Sequence, residues 1–215
     1  DELRSRHSVQ TKVLPHDLSA PNAAEAIFAA LTDTPVSILV NNAGIGFHGA
    51  FADGNFAEQT AMMQVNMTAL VQLTHLFLKP MIARKHGRIL NVASTAAFQP
   101  GPLINVYYAS KAFVHNFSYA LADELEGSGV TVTALCPGTT HTEFFQRGHF
   151  GNQRAPFTMD ARTVAEAGYR GMLRGKRVVI PGWHNKITSA LAKRLPLRLT
   201  MAIVRRIHRK PSAQS

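Results

Sequence analysis

The chain has 215 residues, 46% of them hydrophobic and 17% charged, with a formal net charge of +10. That apolar fraction supports a real core and excludes wholesale disorder. A single cysteine, Cys136, excludes an internal disulfide framework and suits a reducing compartment, and no run of 18 uncharged apolar residues suggests a membrane span.

The expected elements alternate along the chain. Thr11–Leu14 is a weak strand before Asp17-Leu18. Residues 23–31 read as a helix, with Ser19 as a plausible cap and Pro21 in the first turn. Residues 36–40 are a β-branched apolar run ending at Asn41-Asn42-Ala43-Gly44, as a strand buried on both faces would be. Residues 56–83 form a long helical pattern carrying Met63, Leu70, Leu73 and Phe77. Residues 88–93 are a second buried strand, entered through Gly87. Residues 106–125 carry Phe113, Phe117, Leu121 and Leu125 at steps of four. Residues 130–136 are a third strand, stopped by Pro137-Gly138. A helix over 163–173 and a strand over 176–180 complete the pattern. Strands alternating with helices imply a parallel sheet covered on both faces, and ligands of such sheets bind beyond the carboxyl ends of the strands.

Charge divides this chain. Residues 1–166 hold 11 basic and 13 acidic residues, whereas residues 167–215 hold 12 basic and no acidic one. The body therefore gives no electrostatic reason to invoke nucleic acid, and no nucleic-acid partner is expected. In residues 183–215, Ile187, Leu191, Leu195, Leu199, Ile203 and Ile207 are spaced by fours among Lys186, Lys193, Arg194, Arg198, Arg205, Arg206, Arg209 and Lys210. This reads as a basic amphipathic tail, broken near Pro196, suited to peripheral contact with an anionic membrane. Docking on the body or on a sister subunit is the rival reading.

The residues that follow the strands carry the chemistry. Tyr107 and Lys111 stand four apart, on one helix face. A tyrosine titrates near 10, and a neighbouring ammonium lowers that value toward a useful range for proton transfer. Ser94, at the end of the second buried strand, is placed to hold a substrate oxygen. No metal is expected, because no His-Glu-x-x-His spacing occurs and tyrosine chemistry needs none. Phe47, Phe98, Phe144, Phe145, Phe150 and Phe157 follow strand ends and suggest an apolar substrate, or else pack a lid onto the body; His48, His141 and His149 lie near the same mouth.

Taken in order, Asp17-Leu18, Asn41-Asn42-Ala43-Gly44, Asn66, Val92-Ala93-Ser94-Thr95-Ala96, Tyr107-x-x-x-Lys111 and Pro137-Gly138-x-x-x-Thr142 resemble the short-chain dehydrogenase/reductase family. The resemblance runs over about residues 1–182 and implies a Rossmann-like doubly wound α/β domain there. It implies that Tyr107 exchanges a proton with the substrate oxygen and that Lys111 lowers the tyrosine pKa and bonds the nicotinamide ribose. It gives Ser94 the task of polarising the substrate oxygen, and Asn66 that of holding a water through a local break in the long helix. Asp17, with Leu18 beside it, would meet the adenine. Asn41, Asn42, Ala43 and Gly44 would line the adenine ribose; Pro137, Gly138, Thr139 and Thr142 would run along the nicotinamide and phosphates. The implied activity is NAD(P)-dependent interconversion of a carbonyl and an alcohol, with NADP slightly favoured, in a cytoplasmic homo-oligomer; contact with the edge of a membrane is expected from the basic tail alone.

The resemblance also implies a departure. The family opens with a strand, a glycine-rich phosphate loop, a helix and a second strand, and no Gly-x-x-x-Gly-x-Gly occurs in this sequence. Asp1 to Arg6 reads as the end of the helix that follows that second strand. The expectation is a domain lacking its first β-α-β segment, with an exposed edge on the strand at 36–40 and weak activity by itself. The rival class is a non-catalytic relative that binds or scaffolds, or an inactive fragment. Its signature would be a lost Tyr107, Lys111 or Ser94, and all three are present.

Overall fold

A computed structural model describes residues 2–144 and 157–208. Its centre is a four-stranded parallel sheet in the order β1-β2-β3-β4: β1 Ile38–Asn41, β2 Gly87–Val92, β3 Val130–Leu135 and β4 Val178–Val179. The register pairs Val40 with Leu90 and Ala134 in turn with Asn91 and Val178. The crossovers are helical. Four α-helices precede β2: α1 Glu2–His7 and α2 Ala23–Ala29 come before β1, and α3 Phe56–Met63 runs on to α4 Ala69–Ala83. Then come α5 Asn105–Glu124, α6 Ala161–Leu173, α7 Trp183–Ala192 and α8 Leu197–His208.

Both faces of β2 and β3 are covered, which explains why those strands read as continuous apolar runs. Successive residues serve opposite layers. Ile89 and Val132 pack with Leu73, Phe77 and Met81 of α4, while Leu90 and Leu135 pack with Val164 and Met172 of α6. Val114 of α5 meets Ala93, Ala134 and Cys136. Burial pushes the Cys136 thiol up to about 12, so it is a core group rather than a nucleophile.

One expectation changes. Thr11–Leu14 forms no strand, and Val13 is 85% exposed. A strand exists only through ladder partners, and among the described residues none reaches this segment. β1 is accordingly an edge strand, with Ile38 and Val40 facing solvent. The long pattern over 56–83 is broken at Asn66, as the resemblance implies: Gln64–Thr68 is a π-helical turn between α3 and α4. The extra residue of such a turn re-aims a side chain, and here that side chain is the buried Asn66.

Candidate active site

The carboxyl ends of β1, β2 and β3 and the first turns of α5 converge on one place. Ser94 follows β2, where its hydroxyl accepts from the Ala96 amide at 3.1 Å, capping the short turn Thr95–Phe98, and donates to the Pro137 carbonyl at 3.4 Å. Tyr107 lies one turn into α5, and Lys111 lies one turn further on the same face. Lys111 is buried; its ammonium donates to the Val92 carbonyl at 2.9 Å and stands 5.7 Å from the centre of the Tyr107 ring.

Asn66 braces this group from the π-turn. Its Oδ1 accepts from the Ile45 amide, and its Nδ2 donates to the Ile45 carbonyl and to the Ser110 hydroxyl. The loop after β1 is thereby held against α5. Gly44 sits where a Cβ would come within 3.2 Å of Lys111 Nζ and 3.4 Å of Asn66 Oδ1, so glycine keeps the space over the ammonium open.

The electrostatics depart from the sequence expectation. Burial pushes the Tyr107 phenol up to about 12, and the nearby Ser94 hydroxyl only partly opposes it. Burial likewise pulls Lys111 down to about 8. In this arrangement the lysine does not bring the phenol toward neutrality, because desolvation penalises both charged forms.

The other expected site residues divide. Asn41 is buried, but its Nδ2 is spent inside the protein, on Thr74 Oγ1 at 3.1 Å and Asn91 Oδ1 at 2.8 Å. Its side chain therefore shapes the loop, and its Oδ1 has no hydrogen-bond partner among the described residues. Asn42 and Ala43 are exposed beyond it. Gly44, Gly46 and Gly49 do fall at Gly-x-Gly-x-x-Gly spacing directly after β1, but the next element is the single 3-10 turn Phe51–Asp53. No α-helix N-terminus is presented for a phosphate there. Asp17 is exposed, and the Ser19 amide bonded to its carboxylate at 2.9 Å holds its pKa below the usual value; Leu18 beside it packs on the core.

After β3, the Pro137 carbonyl accepts from Thr95, Thr139 accepts from the Met159 amide, and Thr142 is exposed with its hydroxyl bonded to the Phe144 amide. Gly138 is closely covered: a Cβ there would come within 2.3 Å of Asn185 Oδ1 in α7. Of the aromatic residues, Phe144 lies 5.3 Å from Tyr107, ring centre to ring centre. Phe98 instead packs edge-on to His115, and Phe157 is 69% exposed beside His184. Phe145, His149 and Phe150 lie outside the described residues, as do Arg209 and Lys210. His141 is exposed, and among the described residues no cluster of three metal-ligating side chains occurs.

Three participants escape the sequence patterns. Asn91 bridges Asn41 to the Ser118 hydroxyl, and its visible signal is an amide in the middle of an apolar strand. Asn185 donates to the Pro181 carbonyl at 2.8 Å under Gly138. His208, the last described residue of α8, meets the site from 100 residues away: its Nε2 and the Tyr108 hydroxyl are hydrogen-bonded at 2.9 Å, and its carbonyl accepts from His48 Nε2 at 2.7 Å.

A parallel α/β sheet covered by helices, with a Ser, a Tyr and a Lys gathered beyond its strand ends, is a Rossmann-like fold. Known proteins agree. The short chain dehydrogenase family pattern matches residues 1–149, and the chain belongs to that family. It is 33% identical over 141 residues to the 7beta-hydroxysteroid dehydrogenase of Collinsella aerofaciens, covering 66% of this chain and 54% of that one. It is 31% identical over 198 residues to the hydroxysteroid dehydrogenase-like protein 1 of Gallus gallus, covering 90% and 59%. Among solved structures, a short-chain dehydrogenase from Sphingobium yanoikuyae in complex with NADPH superposes with a TM-score of 0.81 at 29% identity, covering 100% of this chain and 82% of the other. The chain spans about half the length of the curated relatives it matches.

Proposed function

We propose that this chain carries the catalytic face of an NAD(P)-dependent oxidoreductase that interconverts a carbonyl and an alcohol, with Tyr107 as the proton donor and acceptor. The observation that carries this reading is the Ser94–Tyr107–Lys111 cluster beyond the strand ends, its lysine buried and Asn66 bracing it. The cluster fits the nicotinamide end of such a cofactor: Gly44 keeps the approach to Lys111 open, and Lys111 and Tyr107 share one helix face. The NADPH bound by the Sphingobium relative supports NADP as the first choice.

The reduced nicotinamide supplies a hydride to the carbonyl carbon. The remaining work falls to this chain. Ser94 would hold the substrate oxygen. Tyr107, kept protonated by burial, would deliver its proton to that oxygen as the C=O π bond opens. Lys111 would restore the tyrosine proton, with Asn66 keeping the lysine and the loop after β1 in place. Phe144, packed on Tyr107, would give the substrate an apolar neighbour, and the steroid enzymes among the relatives accord with that. The test is to assay the longest reading frame containing these residues on steroid, fatty and aromatic ketones with NADPH and NADH. Tyr107→Phe should abolish turnover while leaving the fold intact. Full activity in Tyr107→Phe would overturn the mechanism.

A further inference from the structure

The two C-terminal helices are docked with the wrong face outward for an ordinary surface helix. On α7 the body-facing row is Asn185 and Ser189, both buried, while Trp183, Ile187 and Leu191 are 71%, 51% and 51% exposed. On α8 the docked row is Thr200, Val204 and His208, while Leu199, Ile203 and Ile207 are about half exposed or more. A surface helix normally buries its large apolar row and shows its polar one. On α7 small polar residues make the joint with the body and the bulky apolar row points away; on α8 Thr200 and Val204 dock while the adjoining apolar row stays outside. Apolar residues aligned this way mark a contact surface.

The charges around these rows say what the surface contacts. Arg194 is exposed in the turn that follows α7; at the helical period Arg206 flanks the outer apolar row of α8, while Arg198 and Arg205 are exposed on the far side of that helix. Residues 167–215 contain no acidic residue at all. Two copies meeting through this face would bring like charges together, which disfavours a self-dimer. An anionic bilayer surface answers both features: its headgroups neutralise the arginines, whose stems lie along apolar neighbours, and its outer acyl region takes the isoleucines and leucines. Trp183 is the kind of side chain that settles at that depth. Among the described residues no helix is long and apolar enough to cross a membrane, so the contact is with the surface.

We propose that the outward faces of α7 and α8 dock on an anionic lipid surface. The same α8 ends at the Tyr108–His208 hydrogen bond beside Tyr107, so docking would set the mouth of the candidate site against the bilayer.

The single tryptophan, Trp183, reports directly. The full chain is mixed with phosphatidylcholine vesicles, with and without phosphatidylglycerol, and followed by cosedimentation and tryptophan emission. The expected result is a blue shift and sedimentation with the anionic vesicles only, reversed by salt. Arg198→Gln, Arg205→Gln and Arg206→Gln together should weaken partitioning on the order of tenfold or more. Ile203→Asp, an outward position, should weaken it as well, with circular dichroism confirming the fold. No shift with anionic vesicles, or equal binding to pure phosphatidylcholine, would overturn the proposal. So would a dimer, seen by size exclusion, that Ile203→Asp dissociates and that leaves vesicles untouched.

Discussion

Asn66 holds both peptide groups of Ile45, its Oδ1 accepting from the amide and its Nδ2 donating to the carbonyl, each at 2.9 Å. The side chain behaves as a short strand partner for a loop that has none. It can do so because the π-turn at Gln64–Thr68 turns it inward between two α-helical stretches.

Replacing Asn66 by Ala should therefore cost about 1–3 kcal/mol, since it strands the part-buried N–H and C=O of Ile45 and removes a partner of Ser110. Urea denaturation measures that loss. Hydrogen exchange at the Ile45 amide should rise by more than at strand amides such as Ile89. Unchanged protection at Ile45 would show that the clamp is not what orders this loop.

Much of this arrangement is legible in the sequence, for a local reason. Parallel strands are short β-branched runs with abrupt stops, so β1, β2 and β3 fall within a residue or two of the expected spans. Ser94, Tyr107 and Lys111 are legible because strand ends and a helical four-step place them by chain geometry alone. The strand expected at Thr11–Leu14 fails because strand formation depends on a neighbour, which a local pattern cannot supply. His208 and Asn185 are illegible for the opposite reason: their contacts are 100 and 47 residues away in the chain, at Tyr108 and Gly138. The outward turn of the apolar rows of α7 and α8 is hidden too, since periodicity shows that an apolar row exists but not which way it points.

Lys111 predicts a pH-dependent stability. Its pKa falls from about 10.5 to about 8 on folding, because burial disfavours the ammonium. Below pH 8 both states hold the proton, and the folded state bears the full desolvation cost. Between about 8 and 10.5 the unfolded chain binds more protons, so this group's contribution to stability rises with pH, and the cost is gone above that window. Lys111→Met should stabilise the fold at pH 7 by about 1–3 kcal/mol, allowing for the lost bond to the Val92 carbonyl. Thermal melts from pH 7 to 10.5 should show the gain shrinking. A gain that grows with pH would refute this assignment.

Gly138 and Asn185 should be energetically coupled. A Cβ at position 138 would come within 2.3 Å of Asn185 Oδ1, so Gly138→Ala should destabilise by about 1–3 kcal/mol through overpacking. Asn185→Ala opens the space but gives up its bond to the Pro181 carbonyl. In the double variant much of the Gly138→Ala cost should vanish, giving a coupling energy of about 1 kcal/mol or more in a double-mutant cycle. Additive losses would mean that α7 shifts freely and does not hold the loop after β3.

The last prediction concerns the other half of the cofactor. The strand ends present Lys111 and Tyr107, but the glycines after β1 lead into a 3-10 turn rather than an α-helix, and the sequence holds no Gly-x-x-x-Gly-x-Gly. Pyrophosphate is normally held by the amides at a helix N-terminus behind a glycine-rich loop. These 215 residues alone should bind NADPH weakly, on the order of a hundredfold or more below the longest reading frame that contains them, which follows from losing a few charge-assisted hydrogen bonds. Nicotinamide fluorescence titration measures the difference, and nicotinamide mononucleotide should lose far less between the two forms than NADPH does. Equal, tight NADPH binding by both would mean that the loop after β1 holds the phosphates by a geometry other than a helix terminus.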